Sequence, residues 1–292
     1  VNNGPEELGY LRRTYNFELN DLHDCQPELQ RPKVISRPEY LFAIFVFPFL
    51  NQEKGTIEQK EVDFFITKKE MITVHDNSIP ELEQLFKNLE SNKLYAEQLF
   101  DDPALLLSQV IDDLMDISFP ILQHVSTNID RLRQEVLHNN FKKGWVFEIM
   151  HVKNEIVTFR KAAQPTKNLL QRLLTILPKY LSVTQDAKES YDRLVDHTKE
   201  IWDHLEIYQD SVESVEDTHS TFMSFRLNDI LRTLTIFSVV LLSLSFIANL
   251  FILEGNSRPI IYNTVYDWWI ILGGMATIAL IALFIFKKKK WL

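Results

Sequence analysis

"ILRTLTIFSVVLLSLSFIANLFIL" (230–253) decides the fold, because it carries a single charge, Arg232, close to its start. A helix needs about 20 mostly apolar residues to cross a bilayer, and this run supplies them. A second run, "WWIILGGMATIALIALFIF" (268–286), has no charge at all. Trp268, Trp269 and Trp291 flank it, where indole rings favour the headgroup region, and Lys287 to Lys290 follow directly. Four adjacent lysines mark the cytoplasmic side. Two spans then predict residues 1–229 and both termini in the cytoplasm, with only "EGNSRPIIYNTVYD" (254–267) outside. Two core helices at the end of a soluble chain would explain neither the lysines nor the lengths.

The overall charge of −9 conceals an asymmetry. From residue 230 onward Arg232, Arg258 and four lysines stand against Glu254 and Asp267, a surplus of +4, so residues 1–229 carry −13. An acidic body repels nucleic acid, whose phosphates need a basic face, and attracts cations. The single cysteine, Cys25, excludes an internal disulfide and fits a reducing compartment. The opening "VNNGPEELGY" has no apolar core of a signal peptide, and its lack of an initiator Met points to a trimmed start.

Ahead of the membrane runs, the pattern before residue 80 is one of strands. "EYLFAIFVFPF" (39–49) is continuously apolar, and "VDFFITKKEMITVHD" (62–76) reads as two short strands turning at Lys68-Lys69-Glu70. Helical spacing begins at Ser78, where a serine cap, Pro80 and acidic residues open a helix. Residues 101–139 are helical with a kink at Pro120. Two long helices follow, over roughly 145–175 and roughly 186–253, and no Gly or Pro occurs between Lys179 and Glu254. At 1.5 Å per residue the second reaches on the order of 100 Å, which makes it a stalk that needs partners along its length. The predicted organisation is an N-terminal α/β domain (1–100), cytoplasmic helices and stalk (101–229), membrane helices over 230–253 and 268–286 joined by the external loop 254–267, and a basic tail (287–292).

Alternating steps of three and four along the stalk pick out Asp217, Thr221, Ser224, Asn228, Leu231, Thr235, Ser238, Leu242, Ser245 and Asn249. The period of 3.5 is that of a coiled-coil seam, yet most members are polar or small. A membrane helix turns such a stripe away from lipid, towards a neighbouring helix or towards water. Each Ser, Thr or Asn alone fits ordinary helix packing. The whole stripe, continued to Asp217, fits a pore built from several copies, since one chain with two spans encloses nothing.

Across nearly its whole length the sequence resembles the CorA-type divalent-cation transporters. The resemblance rests on "QRPKV" (30–34) before "EYLFAIFVF", "YDRLVDHT" (191–198), "LNDILRTLTI" (227–236), "SLSFIANLF" (243–251) and the closing "FKKKKWL" (286–292), in that order and spacing. It implies a cytoplasmic α/β funnel with long stalk helices, a homopentamer, two membrane helices per chain in an inner (plasma) membrane, and a pore lined by the first. Asp217, Asn228, Leu231, Leu242, Ser245 and Asn249 then fall on pore-lining positions, with Leu231 and Leu242 as hydrophobic constrictions. Asp217 and Asn228 form polar rings below them, meeting the ion through its bound waters. The family ends its first membrane helix on Gly-Met-Asn; an ungapped count from "SFIA" puts Ile252-Leu253-Glu254 there, followed by Gly255 and Asn256. Glu254, Gly255 and Asn256 would form the outer mouth, with Glu254 a third water-mediated ion contact. The family's cytosolic regulatory acid is replaced by Arg193.

The function this implies is transport of divalent cations, Mg²⁺ or a transition metal such as Co²⁺, Ni²⁺ or Zn²⁺, as substrate, with no cofactor. The partners are the ion, the lipid bilayer and further copies of the chain, and nucleic acid is not among them. The alternative is a non-conducting membrane scaffold or signalling effector of the same shape, for which a missing triplet is what decay would leave. No enzyme motif stands out: there is no Gly-rich phosphate loop, no His-Glu-x-x-His and no nucleophile elbow. His23, Asp24 and Cys25 in "LHDC" are consecutive and so point apart.

Overall fold

The computed structural model describes residues 1–92, 99–138, 144–252 and 267–289. They divide into two units, Val1–Glu216 and Asp217–Leu292. The first is built on an antiparallel sheet of order β1-β2-β3-β4, comprising Lys33–Ser36, Leu41–Asn51, Thr56–Ile66 and Met71–Val74. The apolar run in "EYLFAIFVFPF" becomes β2, whose residues from Leu41 to Phe49 are all buried. It has no polar alternation because it is covered on both faces. Tyr40, Phe42 and Ile44 join Phe65 and Val74 against Leu8, Leu11, Phe17 and Leu22, which come from the N-terminal segment. The rings of Phe17 and Phe65 stack at 4.3 Å. The opposite face meets helices from later in the chain, with Gln59 Nε2 of β3 donating to the carbonyl of Thr158 at 3.0 Å.

The β2–β3 hairpin turns over Asn51–Thr56. Asn51 Oδ1 accepts from the backbone N–H of Glu53 and of Lys54, both at 3.1 Å, and Gly55 takes φ +61°, which only glycine adopts without strain. The turn expected at Lys68-Lys69-Glu70 lies between β3 and β4, closed by Thr67 N–H donating to the Glu70 carbonyl at 2.9 Å.

Two helices precede the sheet, α1 (Pro5–Tyr15) and α2 (Leu19–Asp24), where only strands are expected from the sequence. α1 ends on Asn16, which takes φ 56° and donates its N–H to Arg12 O, a left-handed cap that asparagine tolerates. Buried Asp21 on α2 receives Arg37 through Nε at 2.9 Å and Nη2 at 2.5 Å, and Tyr40 Oη at 2.7 Å. A carboxylate this deep is tolerated because three donors replace its water.

Among the described residues the longer helices after the sheet are α3 (Pro80–Ser91), α4 (Pro103–Asp116), α5 (Ser118–Leu137), α6 (Trp145–Ala163), α7 (Thr166–Ile176), α8 (Gln185–Ile252) and α9 (Asp267–Lys288), with a 3₁₀ turn at Leu177–Lys179. Two expectations need correction. Residues 101–139 are not one kinked helix: the break falls at Ile117, and Pro120 sits in the first turn of α5, where its missing N–H has no helical partner to lose. Likewise 145–175 is two helices, parted at Gln164-Pro165. The long helix expected at 186–253 is α8 to within a residue at each end.

In the first unit α8 buries Ala187, Tyr191, Leu194, Thr198, Ile201, Leu205, Val212 and Val215, an apolar seam of period 3.5. Polar contacts from α6 lace it: Lys153 pairs with Glu216, Arg160 Nη1 donates to Gln209 at 2.5 Å, and the same guanidinium lies 4.7 Å over the Trp202 ring. The second unit is different in kind. No described residue from Asp217 onward is fully buried. One helix there passes the length and composition test for a membrane span, with an 18-residue window of mean hydropathy 1.7, none of it buried.

Candidate functional site

α8 carries the whole polar stripe on one continuous helix, because no residue in "DTHSTFMSFRLNDILRTLTIFSVVLLSLSFIANLFI" breaks it. Every member from Asp217 to Asn249 is exposed, including the two apolar ones, Leu231 at 48% and Leu242 at 69%. Among the described side chains of the same stretch the half-covered ones are Thr218, His219, Phe222, Arg232, Ile236, Val240, Ser243, Leu244 and Ala248. At 100° per residue most of these lie roughly on the opposite side of the helix from the stripe. α9 has a matching half-covered line, Met275, Ala279, Ala282 and Phe286, at spacings of four, three and four. α8 and α9 thus each have a partly sheltered flank in this unit, and on α8 the stripe lies off it.

Three hydroxyls of the stripe are already oriented. Thr221 Oγ1 donates to the carbonyl of Asp217 at 2.9 Å, Ser224 Oγ to that of Ser220 at 3.0 Å, and Thr235 Oγ1 to that of Leu231 at 2.7 Å. A hydroxyl that spends its proton on its own helix keeps its lone pairs for outside donors. The stripe therefore offers acceptor oxygens, with the Asp217 carboxylate and the Asn228 amide among them. Waters around a cation present their hydrogens outward, so an acceptor-lined face suits a hydrated cation. Arg232, the one charge of the first apolar run, leans back to Asp229 at 3.6 Å and belongs to the sheltered flank. Glu254, Gly255 and Asn256, the expected outer mouth, lie outside the described residues.

A second set of donors meets in the first unit. Asp112 and Asp116, one turn apart on α4, and His197 on α8 bring their ligand atoms within 4.8 Å of one another. His197 Nδ1 is 3.1 Å from Asp112 Oδ1, and the Phe119 ring stands edge-on to the imidazole at 6.3 Å. Burial raises the pKa of Asp116, helped by the Asp112 charge and opposed by His197; burial likewise raises Asp113. Two carboxylates and an imidazole in this arrangement can hold a divalent cation. Arg193, one turn before His197, is exposed. The sequence contains the i, i+4 pair of aspartates, but nothing in it places them against a histidine 85 positions away.

The "LHDC" residues diverge in space as their adjacency requires. His23 is exposed, Asp24 pairs with Lys33 at 2.6 Å, and Cys25 points inward and donates Sγ–H to Asp21 O at 3.3 Å. Burial pushes the Cys25 thiol up, so it is an unreactive packing group.

Comparison with known proteins identifies the family of the chain. The family described as CorA-like Mg2+ transporter protein matches residues 2–288. YfjQ of Bacillus subtilis, whose name proposes metal ion transport, is 27% identical and aligns over 99% of this chain and 88% of its own. The cobalt/magnesium transport protein CorA of Thermotoga maritima is 26% identical over 93% of this chain and 76% of its own. Among solved structures, the complete CorA magnesium transporter of Methanocaldococcus jannaschii superposes with a TM-score of 0.84 at 19% identity, over 100% of this chain and 90% of that one.

Proposed function

Since the chain belongs to the CorA-like Mg2+ transporter family, whose members carry divalent cations and are not enzymes, we propose that copies of it assemble, five in number, around the Asp217–Asn249 face of α8. The ion pathway is the space those faces enclose. The observation that carries this reading is the position of the stripe: it is exposed and lies away from the half-covered flank of its own helix. In a bilayer such a face needs shelter from lipid, and identical neighbours supply it.

In this reading Leu231 and Leu242 are the narrow rings. An apolar constriction gates by excluding the water that an ion carries. Asn228 and Asp217 receive the cation still hydrated, as suits Mg²⁺, which gives up water reluctantly. Glu254, Gly255 and Asn256 stand at the outer mouth. α9 is the second span, Lys287 and Lys288 at its end face the cytoplasm, and both termini lie there, in an inner (plasma) membrane. The names of the relatives favour Mg²⁺ and Co²⁺ as substrates. Asp112, Asp116 and His197 are the place where the body can respond to the cytosolic level of the same ions.

The test is twofold. Mass measurement of the full chain in mild detergent is expected to give a pentamer, and a monomer or dimer as the sole species would remove the pathway. Reconstituted into vesicles, the protein is expected to pass Mg²⁺ or Co²⁺ down a gradient. The scaffold alternative has one observation in its favour, the replacement of Gly-Met-Asn by Ile252-Leu253-Glu254. It requires the oligomer without the flux.

A further inference from the structure

Glu155 on α6 is the most anomalous side chain in the body. It is 4% exposed, and neither carboxylate oxygen has a hydrogen-bond partner among the described residues. Leaving a buried carboxylate so is unfavourable unless something else compensates it. Two imidazoles stand close: His124 of α5, with Nε2 3.8 Å from Oε1, and His151, one turn earlier on α6, with Nδ1 3.8 Å from Oε2. At 3.8 Å neither is hydrogen-bonded. Burial raises the Glu155 pKa, and His151, His124 and Asn128 pull the other way.

From this geometry we propose that His124, His151 and Glu155 form a transition-metal site between α5 and α6, taking Zn²⁺, Co²⁺ or Ni²⁺ through two imidazole nitrogens and the buried carboxylate. The site is separate from the stripe on α8 and from the Asp112–Asp116–His197 set, and it does not depend on the chain conducting ions.

Three features support it. His151 and Glu155 are spaced i, i+4, which puts both on one face of α6. His124 supplies the third donor from the neighbouring helix, and its own i+4 residue, Asn128, lies 3.0 Å from Nε2 through Nδ2 and steadies the ring. On binding, the ion takes Nε2 in place of that contact. Next, the set is open: it is wider than the Asp112–Asp116–His197 group, whose ligand atoms all lie within 4.8 Å of one another. Ligands held at about 2.0–2.1 Å in a tetrahedron stand about 3.3 Å apart, so binding requires the imidazoles to swing in by side-chain rotation. Each now faces a different carboxylate oxygen, and the ion draws both to one point. The histidine side chains are 33% and 50% exposed, which leaves a route in and room to move, while the carboxylate stays fixed beneath them. Finally, the donor set discriminates. Two imidazoles select borderline metals over Mg²⁺, which prefers oxygen ligands.

The test uses the full chain in detergent with Mg²⁺ in large excess, so that oxygen-rich sites are occupied. Co²⁺ is titrated in and followed by its visible ligand-field absorption and by metal bound per chain, then displaced with Zn²⁺. The parent is expected to bind one Mg²⁺-resistant equivalent per chain. His151→Ala and Glu155→Gln are expected to weaken it by at least about 100-fold, above the 10–100-fold typical for an outer-shell partner. His197→Ala is expected to leave it unchanged. His151 is half exposed, so His151→Ala carries the test even if Glu155→Gln fails to assemble. The proposal is overturned if the parent holds no Mg²⁺-resistant Co²⁺, if that equivalent survives in His151→Ala, or if it vanishes in His197→Ala.

Discussion

One helix, α8, is two different objects along its length. Up to Val215 its 3.5-period seam is apolar and buried, and the first unit has its own core. From Asp217 the seam that stands out is polar and wholly exposed. The two seams are out of step: Asp217 is two positions beyond Val215, about 200° around the helix. Counted onward, the register of the buried seam passes half-covered Phe222, Ile236 and Val240 as well as exposed Arg226, Asp229 and Thr233, and the stripe occupies a face it never visits. The lower half of the helix is finished by the chain itself. The upper half is left exposed by the chain, which is what the proposed assembly of copies in a bilayer would cover.

Paired substitutions on the two seams break or sharpen this contrast most directly. Leu205 is fully buried, and Leu205→Ala is expected to destabilise the body by about 2–5 kcal/mol, read as a lower melting temperature or denaturant midpoint. Leu242→Ser, on the exposed seam, is expected to leave that melting transition unchanged while raising divalent flux about tenfold or more, because a wetted ring no longer excludes a hydrated ion. A large stability loss from Leu242→Ser, or flux unchanged in it and in Leu231→Ser, would mean that the upper seam packs as the lower one does.

A smaller effect is expected at Asn228. Its amide offers acceptor oxygen on the exposed seam, so Asn228→Leu should cut flux several-fold while the oligomer persists on a sizing column. Should the oligomer dissociate instead, Asn228 is an interhelical contact of the packing kind.

How much of this was legible in the sequence follows from the length scale of each signal. The extent of α8 was readable because an unbroken absence of Gly and Pro is a local property, and the stripe because period 3.5 is one too. β2 was readable as a continuously apolar run within a strand pattern. α1 and α2 were missed: their apolar residues, such as Leu8, Leu11 and Leu22, are sparse among charges and acquire meaning only against the sheet. The break at Pro165 was in plain view, and helical spacing on both sides hid it. The pairing of Asp112 and Asp116 with His197, and of Glu155 with His124, joins residues far apart in sequence, and no periodicity reports that.

The body offers a check that is independent of the membrane. Asp63 on β3 is 2% exposed, with Oδ1 unpartnered among the described residues. Burial raises its pKa well above the carboxylate range, and the neighbouring Glu61 charge adds to the rise. A raised acid binds its proton more tightly folded than unfolded. Its contribution is therefore complete below the ordinary aspartate pKa of about 3.9 and is lost as pH climbs through the folded value. Asp63→Asn keeps the shape and removes the titration. Its melting temperature should match the parent near about pH 4 and exceed it near about pH 8. Parallel curves for the two proteins would show that Asp63 is ionised in the fold.

The smallest expected effect is at Glu254, which replaces the family's neutral asparagine in an ungapped count. Five copies would set five carboxylates around the outer mouth, in a loop whose one basic residue is Arg258. Such a ring concentrates cations by field alone and holds each ion less selectively than amides shaped around its waters. Its range is the screening length, about 10 Å at 0.1 M salt and about 30 Å at 0.01 M. Glu254→Gln should therefore lower flux about two- to threefold at low ionic strength, in keeping with surface steering, and much less near physiological salt. Discrimination between Mg²⁺ and Co²⁺ should rise slightly in the variant. Equal flux for parent and variant at low salt would leave Glu254 as the point where the helix meets water, and the outer half of the pathway would then owe nothing to charge.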